Sequence, residues 1–208
     1  MGSAADGIVT DVTLTTIMPT LRASIPEPLE PSLWPAHTVA TTADVCIAAI
    51  SMARLADVVG TPCVHTAEQA PPRYRPRDWQ PRDVSVAVAS VLRVRRPLSG
   101  VVLVELDAVL PQSAVLDQVR LIGRASTAPA TQTYVVSPCD GFADGPFHRL
   151  PAPLPADVHE GDLLCFPCLV ALRHRDVTQA PVATPVRAEL GGPEAVEVGR
   201  LGTDEDHR

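Results

Sequence analysis

Between residues 45 and 60, a short continuous apolar run gives way to apolar positions that repeat with a helical period. A short apolar run at 45–50 is followed by Ser51 and by the segment Met52–Val59, which ends before Gly60. The larger apolar residues of that segment are Met52, Leu55, Val58 and Val59. Their spacing places them on one helix face, Ser is a favoured N-cap, and Gly commonly follows a helix. The pattern predicts a buried strand at 45–50 and a helix over 52–59.

From residue 83 the pattern changes to the period of two that is typical of β-strands. Val84, Val86 and Val88 alternate with Ser and Ala, which predicts a half-buried strand. Further strands are predicted at 62–65, 101–110, 115–123, 133–136 and 162–172, with weaker patterns at 186–190 and 196–201. Short strands separated by Pro and Gly predict a mostly β fold: a single β-barrel domain with one short helix and an extended N-terminal arm.

Local composition divides the chain into regions. The prediction is an N-terminal arm at 1–35, a β-barrel domain at 36–201 and a polar, flexible tail at 202–208. The arm carries a Pro-rich stretch at 24–35 and, before it, a Val- and Thr-rich segment at 8–17 that has the pattern of a strand. A Pro- and Arg-rich stretch at 71–83 predicts a solvated linker, or alternatively an Arg-rich contact with an anion or a partner.

Composition limits the classes of function. The 208 residues are 46% hydrophobic, which is enough for a core. The net charge of −7 and the aromatic content of 3% argue against nucleic-acid binding. We expect no membrane span and no signal peptide, because no apolar run is long enough and no basic segment opens the chain. Five cysteines, an odd number, favour reduced thiols and a cytoplasmic location.

One residue type is missing altogether. All 17 basic residues are Arg, and the sequence contains no Lys. Arg cannot serve as the amine of a Schiff base at neutral pH. This excludes a covalent lysine link to pyridoxal phosphate (PLP), a P-loop lysine and a kinase-type lysine, and we expect no cofactor.

Two segments resemble a known family. The first comprises Ser32-Leu-Trp-Pro-Ala36 and the run from Val45 to Val64, which contains Gly60-Thr-Pro62; the second comprises Ser137-Pro-Cys-Asp-Gly-Phe142 and the run from Leu154 to Pro167. Together they resemble the diaminopimelate/ornithine decarboxylases of fold type III. In that family a PLP-binding TIM barrel lies between the two segments. The resemblance implies a β-barrel domain in which residues 71–83 replace the TIM barrel.

The resemblance implies roles for a few residues. Cys139 matches the family cysteine that protonates the intermediate across the dimer interface, and Asp140 matches the acid that holds the distal amine of the substrate. The next family acid would fall at Ala143, so Asp144 is displaced by one position. The aromatic residue that closes the apolar strand is replaced by Leu172. The resemblance also implies a homodimer.

The segment from Cys139 to His148 is the densest polar cluster in the sequence. It brings a thiol, two carboxylates and an imidazole into a loop rich in Gly and Pro, and such a set can supply acid–base catalysis at a barrel mouth. The predicted catalytic residues are Cys139, Asp140, Asp144 and His148, and Phe142 and Phe147 are predicted to bind substrate. The alternative is an ordinary Asp-Gly turn.

Two acidic residues and two cysteines are further candidates. Glu105 and Asp107 share one strand face; they are predicted to bind substrate if that face lines the barrel interior, and otherwise to be solvated acids. Cys165 and Cys168 lie in an apolar strand, where side chains three positions apart point to opposite faces. They are predicted to be buried structural thiols rather than a redox pair. The neighbouring His residues complete no standard zinc pattern, so we expect no metal.

Three functions are compatible with these patterns. The first is a PLP-independent small-molecule enzyme of bacterial secondary metabolism, of cyclase or lyase type, that uses the barrel interior as its pocket. The second is a partner subunit that completes the active site of a separate decarboxylase-like protein. The third is a small-molecule-binding or scaffold protein.

Overall fold

The computed structural model describes residues 25–97, 100–137 and 150–178. The strands are β1 Thr38–Ala40, β2 Val45–Ile47, β3 Ile50–Ser51, β4 Cys63–Glu68, β5 Asp83–Arg95, β6 Val102–Leu106, β7 Arg120–Ile122, β8 Ala130–Val136, β9 Leu150–Pro155 and β10 Leu163–Cys168. The helices are α1 Met52–Val59 and α2 Arg175–Thr178, and Pro31–Leu33 and Leu116–Gln118 form 3₁₀ turns. The predicted segments 8–17, 186–190 and 196–201 lie outside the described residues.

The strands form two sheets. The small sheet has the order β1-β2-β3, and the large sheet has the order β7-β10-β5-β6-β8-β9 with β4 also paired to β5. Among the described ladders, β6 and β8 run parallel and the other neighbours antiparallel. The large sheet curls until β9 lies against β7 and the 116–118 turn. The predicted mostly β, barrel-like fold is confirmed, with a second helix, α2, that the sequence pattern did not indicate.

The central strand β5 is 13 residues long and organises the large sheet. One edge of β5 pairs with β10. Along the other edge, the first half of β5 pairs with β4 and the second half with β6. The predicted half-buried strand is wrong in one respect, since both faces from Val84 to Ala89 are buried. Ala87 and Ala89 face one core, whereas Val86 and Val88 face another.

The inside of the curled sheet is filled by side chains, which we call the interior core. Phe166, Leu164, Leu106 and Leu154 are fully buried there. They interdigitate with small residues such as Ala152, in the manner of close-packed protein interiors. Among the described residues, the interior of the barrel is therefore core and not an open lumen.

A second core lies between the outer face of the large sheet and the small sheet with α1. It is built around Trp34, Ile47, Met52 and Cys165. The predicted helix 52–59 is confirmed with both ends: Ser51 Oγ accepts the N–H of Arg54, and Gly60 follows Val59. The predicted apolar face is wrong in part. Met52 and Ala56 are buried, whereas Val58 and Val59 lie in the last turn, outside this core, and are exposed.

Several predicted strands have different bounds. The run at 45–50 is the β2–β3 hairpin, and 101–110 and 162–172 shorten to β6 and β10. The predicted strand at 115–123 is a 3₁₀ turn followed by β7. In each case the apolar pattern continues past the ladder, because turn residues such as Leu116 and Val119 also pack into the interior core.

Strand β9 was not predicted, since its sequence alternates Pro with apolar residues. Ala156 donates its N–H to Pro129 O, and Ala152 O accepts a hydrogen bond from Thr133 Oγ1. The even-numbered residues of β9 therefore direct their backbone groups toward β8. The nitrogen atoms of Pro151, Pro153 and Pro155 fall on the outer edge, where proline removes no ladder hydrogen bond.

Candidate functional site

The predicted loop residues lie in a part of the chain that the structure does not describe. These are Cys139, Asp140, Phe142, Asp144, Phe147 and His148. The two ends of this loop are described. Ser137 Oγ accepts the N–H of Leu110 at 2.8 Å, and Leu150 pairs with Val135. Both ends of the loop are thus held where β6 and β8 end.

Glu105 lies at this same end of the sheet, on its outer face. It pairs with Val136 of β8 and with Arg93 of β5. A β-bulge between Val91 and Arg93 shifts the register of β5. Without that extra residue the alternation would turn Arg93 into the interior core; with it, Arg93 faces Glu105 on the outside.

The carboxylate of Glu105 is incompletely satisfied. Its Oε2 atom is buried and has no hydrogen-bond partner among the described residues. Arg93 Nη1 lies 3.9 Å away, beyond hydrogen-bond distance, and the Glu105 side chain is only 16% exposed. A buried acceptor without a partner is costly. This oxygen is therefore a position where an added donor or cation gains free energy.

Asp107 has a different environment. Its Oδ1 accepts the N–H of Ser90 at 2.8 Å, and its Oδ2 accepts the hydroxyl of Thr61 at 2.6 Å. These contacts hold together the point where β4 and β6 meet along β5. Of the two alternatives for Glu105 and Asp107, the interior one is excluded, because Val104 and Leu106 occupy the inward positions of β6. Both acids lie on the outer face of the sheet, as in the outward alternative, although neither is fully solvated.

The two neighbouring cysteines lie in separate cores, as predicted. Cys165 packs in the second core and Cys168 in the interior core, and both are fully buried. Burial raises the pKa of Cys165 well above its ordinary value and that of Cys168 to about 12. Both are held as neutral thiols, since a thiolate would lose its hydration. Among the described residues, no group of three His, Cys, Asp or Glu side chains could hold a metal ion.

We expect Cys165 and Cys168 to resist alkylation in the folded protein. The thiolate is the nucleophile, and both side chains combine a raised pKa with complete burial. Burial and the neighbouring Asp44 also raise the pKa of Cys46, but its side chain is partly exposed, so iodoacetamide at pH 8 followed by peptide mass mapping should modify it before these two. Modification of Cys165 or Cys168 at the rate of Cys46 without unfolding would contradict the prediction.

A cleft, which we call the seam, lies between β7 and β9. The cleft is open to solvent and has a cavity volume of about 60 Å³, and Arg120, Leu121, Pro153 and Pro155 line its two sides. Residues 25–27 form a third wall. The Arg120 guanidinium is held by Pro28 O at 2.6 Å and by Val119 O at 2.8 Å, and burial lowers its pKa.

Sequence reasoning missed the seam and the position of Arg93. The seam is built from segments far apart along the chain, and no local motif marks it. The placement of Arg93 depends on a bulge, and no Gly or Pro marks that position. The nearest sequence signal is the arginine-rich end of β5, at Arg93, Arg95 and Arg96, which does not indicate a bulge.

No family model matches the chain, and no curated protein matches its sequence. Among solved structures, the arginine decarboxylase of Paramecium bursaria Chlorella virus is similar, with a TM-score of 0.30 and 17% identity. The similarity covers 44% of this chain and 26% of that chain. The matched region thus spans about a quarter of that enzyme. Among the described residues, no helix has the length and apolar character needed to cross a bilayer.

Proposed function

We propose that the protein binds a small molecule with a positively charged amine or guanidinium group, at the outer end of β6 beside Glu105. The observation that carries this proposal is the buried Glu105 Oε2 atom, which has no hydrogen-bond partner among the described residues and only a long ion pair, 3.9 Å, with Arg93 Nη1. A charge-assisted hydrogen bond from a ligand would satisfy it. The negative net charge of the chain also favours the approach of a cation.

The family resemblance adds a second carboxylate to this proposal. Asp140 matches the acid that holds a substrate amine, and its loop starts and ends beside β6. With Cys139, Asp144 and His148 as acid–base groups, the same site would support a PLP-independent cyclase or lyase. Such reactions gain much of their rate from holding the substrate in a reactive conformation. Because the interior core is filled, this chemistry is proposed at the outer end of the sheet and not inside the barrel.

A second candidate is a partner subunit for a decarboxylase-like protein that carries the missing lysine. The filled interior favours it, since a domain with no internal pocket would use its loops on a neighbouring active site. The resemblance, in which residues 71–83 of this chain replace the TIM barrel of the family, is compatible with this arrangement. A homodimer belongs to the same proposal, and light scattering at micromolar concentration would test it.

Glu105→Gln is expected to weaken ligand binding at least about tenfold, roughly 1.4 kcal/mol. The measurement is isothermal titration calorimetry of the full chain with putrescine, agmatine and arginine as probes. The melting temperature should change little, because the amide keeps the shape of the side chain and the 3.9 Å ion pair with the half-exposed Arg93 is weak. Glu160→Gln, at an exposed turn, is the matched control.

The two candidates differ in what the chain does alone. If it binds one of the probes and Glu105→Gln removes that binding, the small-molecule site is supported. Asp140→Asn should then also cost at least about tenfold, and Cys139→Ser less. Binding that Glu105→Gln leaves unchanged would contradict the site. A chain that binds none of the probes until a lysine-bearing decarboxylase-like subunit is added would favour the partner role.

A further inference from the structure

The connection between β4 and β5, which we call the arginine loop, is long and basic. It comprises residues 69–82, whereas the loop of a β-hairpin commonly has about two to five residues. Its sequence from 71 to 82 is Pro-Pro-Arg-Tyr-Arg-Pro-Arg-Asp-Trp-Gln-Pro-Arg, with four Arg and one Asp. The loop thus carries a positive charge in a chain whose net charge is −7.

The base of the arginine loop is fixed by Gln69, whose side chain is 8% exposed. Gln69 donates its N–H to Arg82 O at 2.8 Å and its Nε2 to Ser32 O at 2.7 Å, and its Oε1 accepts Arg82 Nε at 3.0 Å. Further along, Trp79 donates its N–H to Pro76 O at 3.1 Å. Four Pro restrict the backbone between these points. Ordering this loop on a partner therefore costs less free energy than ordering a free chain.

Three guanidinium groups of the loop are exposed and contact no carboxylate among the described residues. They belong to Arg73, Arg75 and Arg77. Arg75 stacks at 4.6 Å from the ring centroid of Trp79, and Arg73 lies 5.9 Å from that of Tyr74. Stacking occupies the face of a guanidinium and leaves its N–H groups pointing outward in the plane. A stacked Arg is therefore oriented for bidentate hydrogen bonds to a carboxylate.

We propose that the arginine loop docks a short acidic segment of a partner protein. Arg73, Arg75 and Arg77 pair with Asp or Glu side chains of that segment, and the rings of Tyr74 and Trp79 supply apolar contact area. Arg, Trp and Tyr are the residues that most often dominate the affinity of protein interfaces. The loop presents all three kinds on an anchored backbone, and Tyr74 is 83% exposed.

The charge of the rest of the molecule favours a short segment over an extended polyanion. Because the loop is positive and the whole chain is negative, the residues outside the loop carry most of the acidic charge. A nucleic acid or an anionic membrane extends beyond the loop, so its phosphates meet a repulsive field there. An acidic peptide segment of a few residues ends within the loop and avoids this repulsion.

This docking surface is separate from the site beside Glu105. Asp83 opens β5 directly after the arginine loop, and Arg93, the partner of Glu105, lies ten positions further along the same strand. At about 3.3 Å per residue, the two points are roughly 30 Å apart along the strand. Glu105→Gln should therefore leave docking unchanged, so the two proposals succeed or fail independently.

Hexaglutamate, titrated into the full chain, is the probe. Isothermal titration calorimetry should give a dissociation constant below about 1 mM, and hexaserine should not bind. The chain has two Trp, and Trp34 is only 1% exposed, so acrylamide quenching of tryptophan emission reports mainly on Trp79. Bound hexaglutamate should shield Trp79 from acrylamide. Raising NaCl from about 0.05 to about 0.5 M should weaken binding at least about tenfold, because exposed charges are screened.

Two substitutions at one position separate a shaped contact from general attraction. Arg75→Gln should weaken binding at least about fivefold, since it removes a charge-assisted hydrogen bond. Arg75→Lys should also weaken it, although the charge stays, because Lys lacks the planar fork that stacks on Trp79 and grips a carboxylate. Arg54→Gln is the matched control, an exposed arginine that pairs with Asp57 on α1. The melting temperature should stay unchanged in all three variants.

Four results would overturn the proposal. The first is the absence of hexaglutamate binding, and the second is binding that leaves Trp79 as accessible to acrylamide as before. The third is unchanged binding in Arg75→Lys, or equal weakening by Arg54→Gln, either of which reduces the effect to general charge attraction. The fourth is tighter binding of a twelve-residue oligothymidine or of phosphatidylserine vesicles than of hexaglutamate, which would assign the loop to nucleic acid or to a membrane.

Discussion

Phe166→Ala is expected to lower the free energy of unfolding by about 3–5 kcal/mol. Phe166 is fully buried at the centre of the interior core, on the strand that pairs with both β5 and β7. Truncation removes most of an aromatic side chain from surroundings that are built on a sheet and cannot collapse freely. Urea unfolding monitored by circular dichroism gives the difference directly.

The control is Tyr74→Ala, whose side chain is 83% exposed and whose removal should change stability by less than about 0.5 kcal/mol. The outcome also bears on function. If Phe166→Ala costs less than about 1.5 kcal/mol, the interior is not tightly packed, and a ligand pocket inside the barrel again becomes a candidate. A loss of about 3–5 kcal/mol in the free energy of unfolding supports placing the site at the outer end of β6.

Asp162→Ala is expected to cost about 3 kcal/mol, near the lower end of the range for a broken buried ion pair. The Asp162 side chain is 2% exposed and receives Arg124 Nε at 2.6 Å and Nη2 at 2.7 Å. It also accepts the N–H of His159 at 2.9 Å. The substitution leaves these donors without their acceptor, although Arg124 keeps its contact with Asp157 and part of its hydration.

An exposed ion pair on α1 provides the comparison. Arg54 and Asp57 also form a hydrogen-bonded ion pair, but both side chains are largely exposed. Asp57→Ala should therefore cost less than about 0.5 kcal/mol. Equal effects of the two substitutions would show that burial does not strengthen the Arg124–Asp162 pair.

The parts of the fold that depend on local chemistry were predictable from the sequence. Helix α1 begins and ends at the predicted residues, because Ser51 and Gly60 act within one turn of backbone. The opposite-face placement of Cys165 and Cys168 follows from the period of a strand. Burial on both faces of β5 was not predictable, since the second face is covered by the small sheet and α1, which lie elsewhere in the sequence.

The site was less predictable than the fold. Glu105 was identified as a candidate, but its pairing with Arg93 depends on the bulge in β5. The hydrogen bond from Thr61 to Asp107 joins residues 46 positions apart, so no window of sequence contains both. Strand β9 was missed because proline usually argues against a strand. The register that places all three proline nitrogens on the outer edge is a property of the ladder with β8.

The central position of β5 has a consequence for synthesis on the ribosome. Ser85 in β5 accepts the N–H of Leu172, 87 positions later, just beyond the strand that covers one edge of β5. At ordinary elongation rates this interval lasts roughly 4–17 s. During that time β5 has emerged with apolar side chains on both faces and one unpaired edge, which is a template for association between unfinished chains. The yield of soluble protein should therefore depend on translation speed and chaperone supply as well as on the stability of the finished fold.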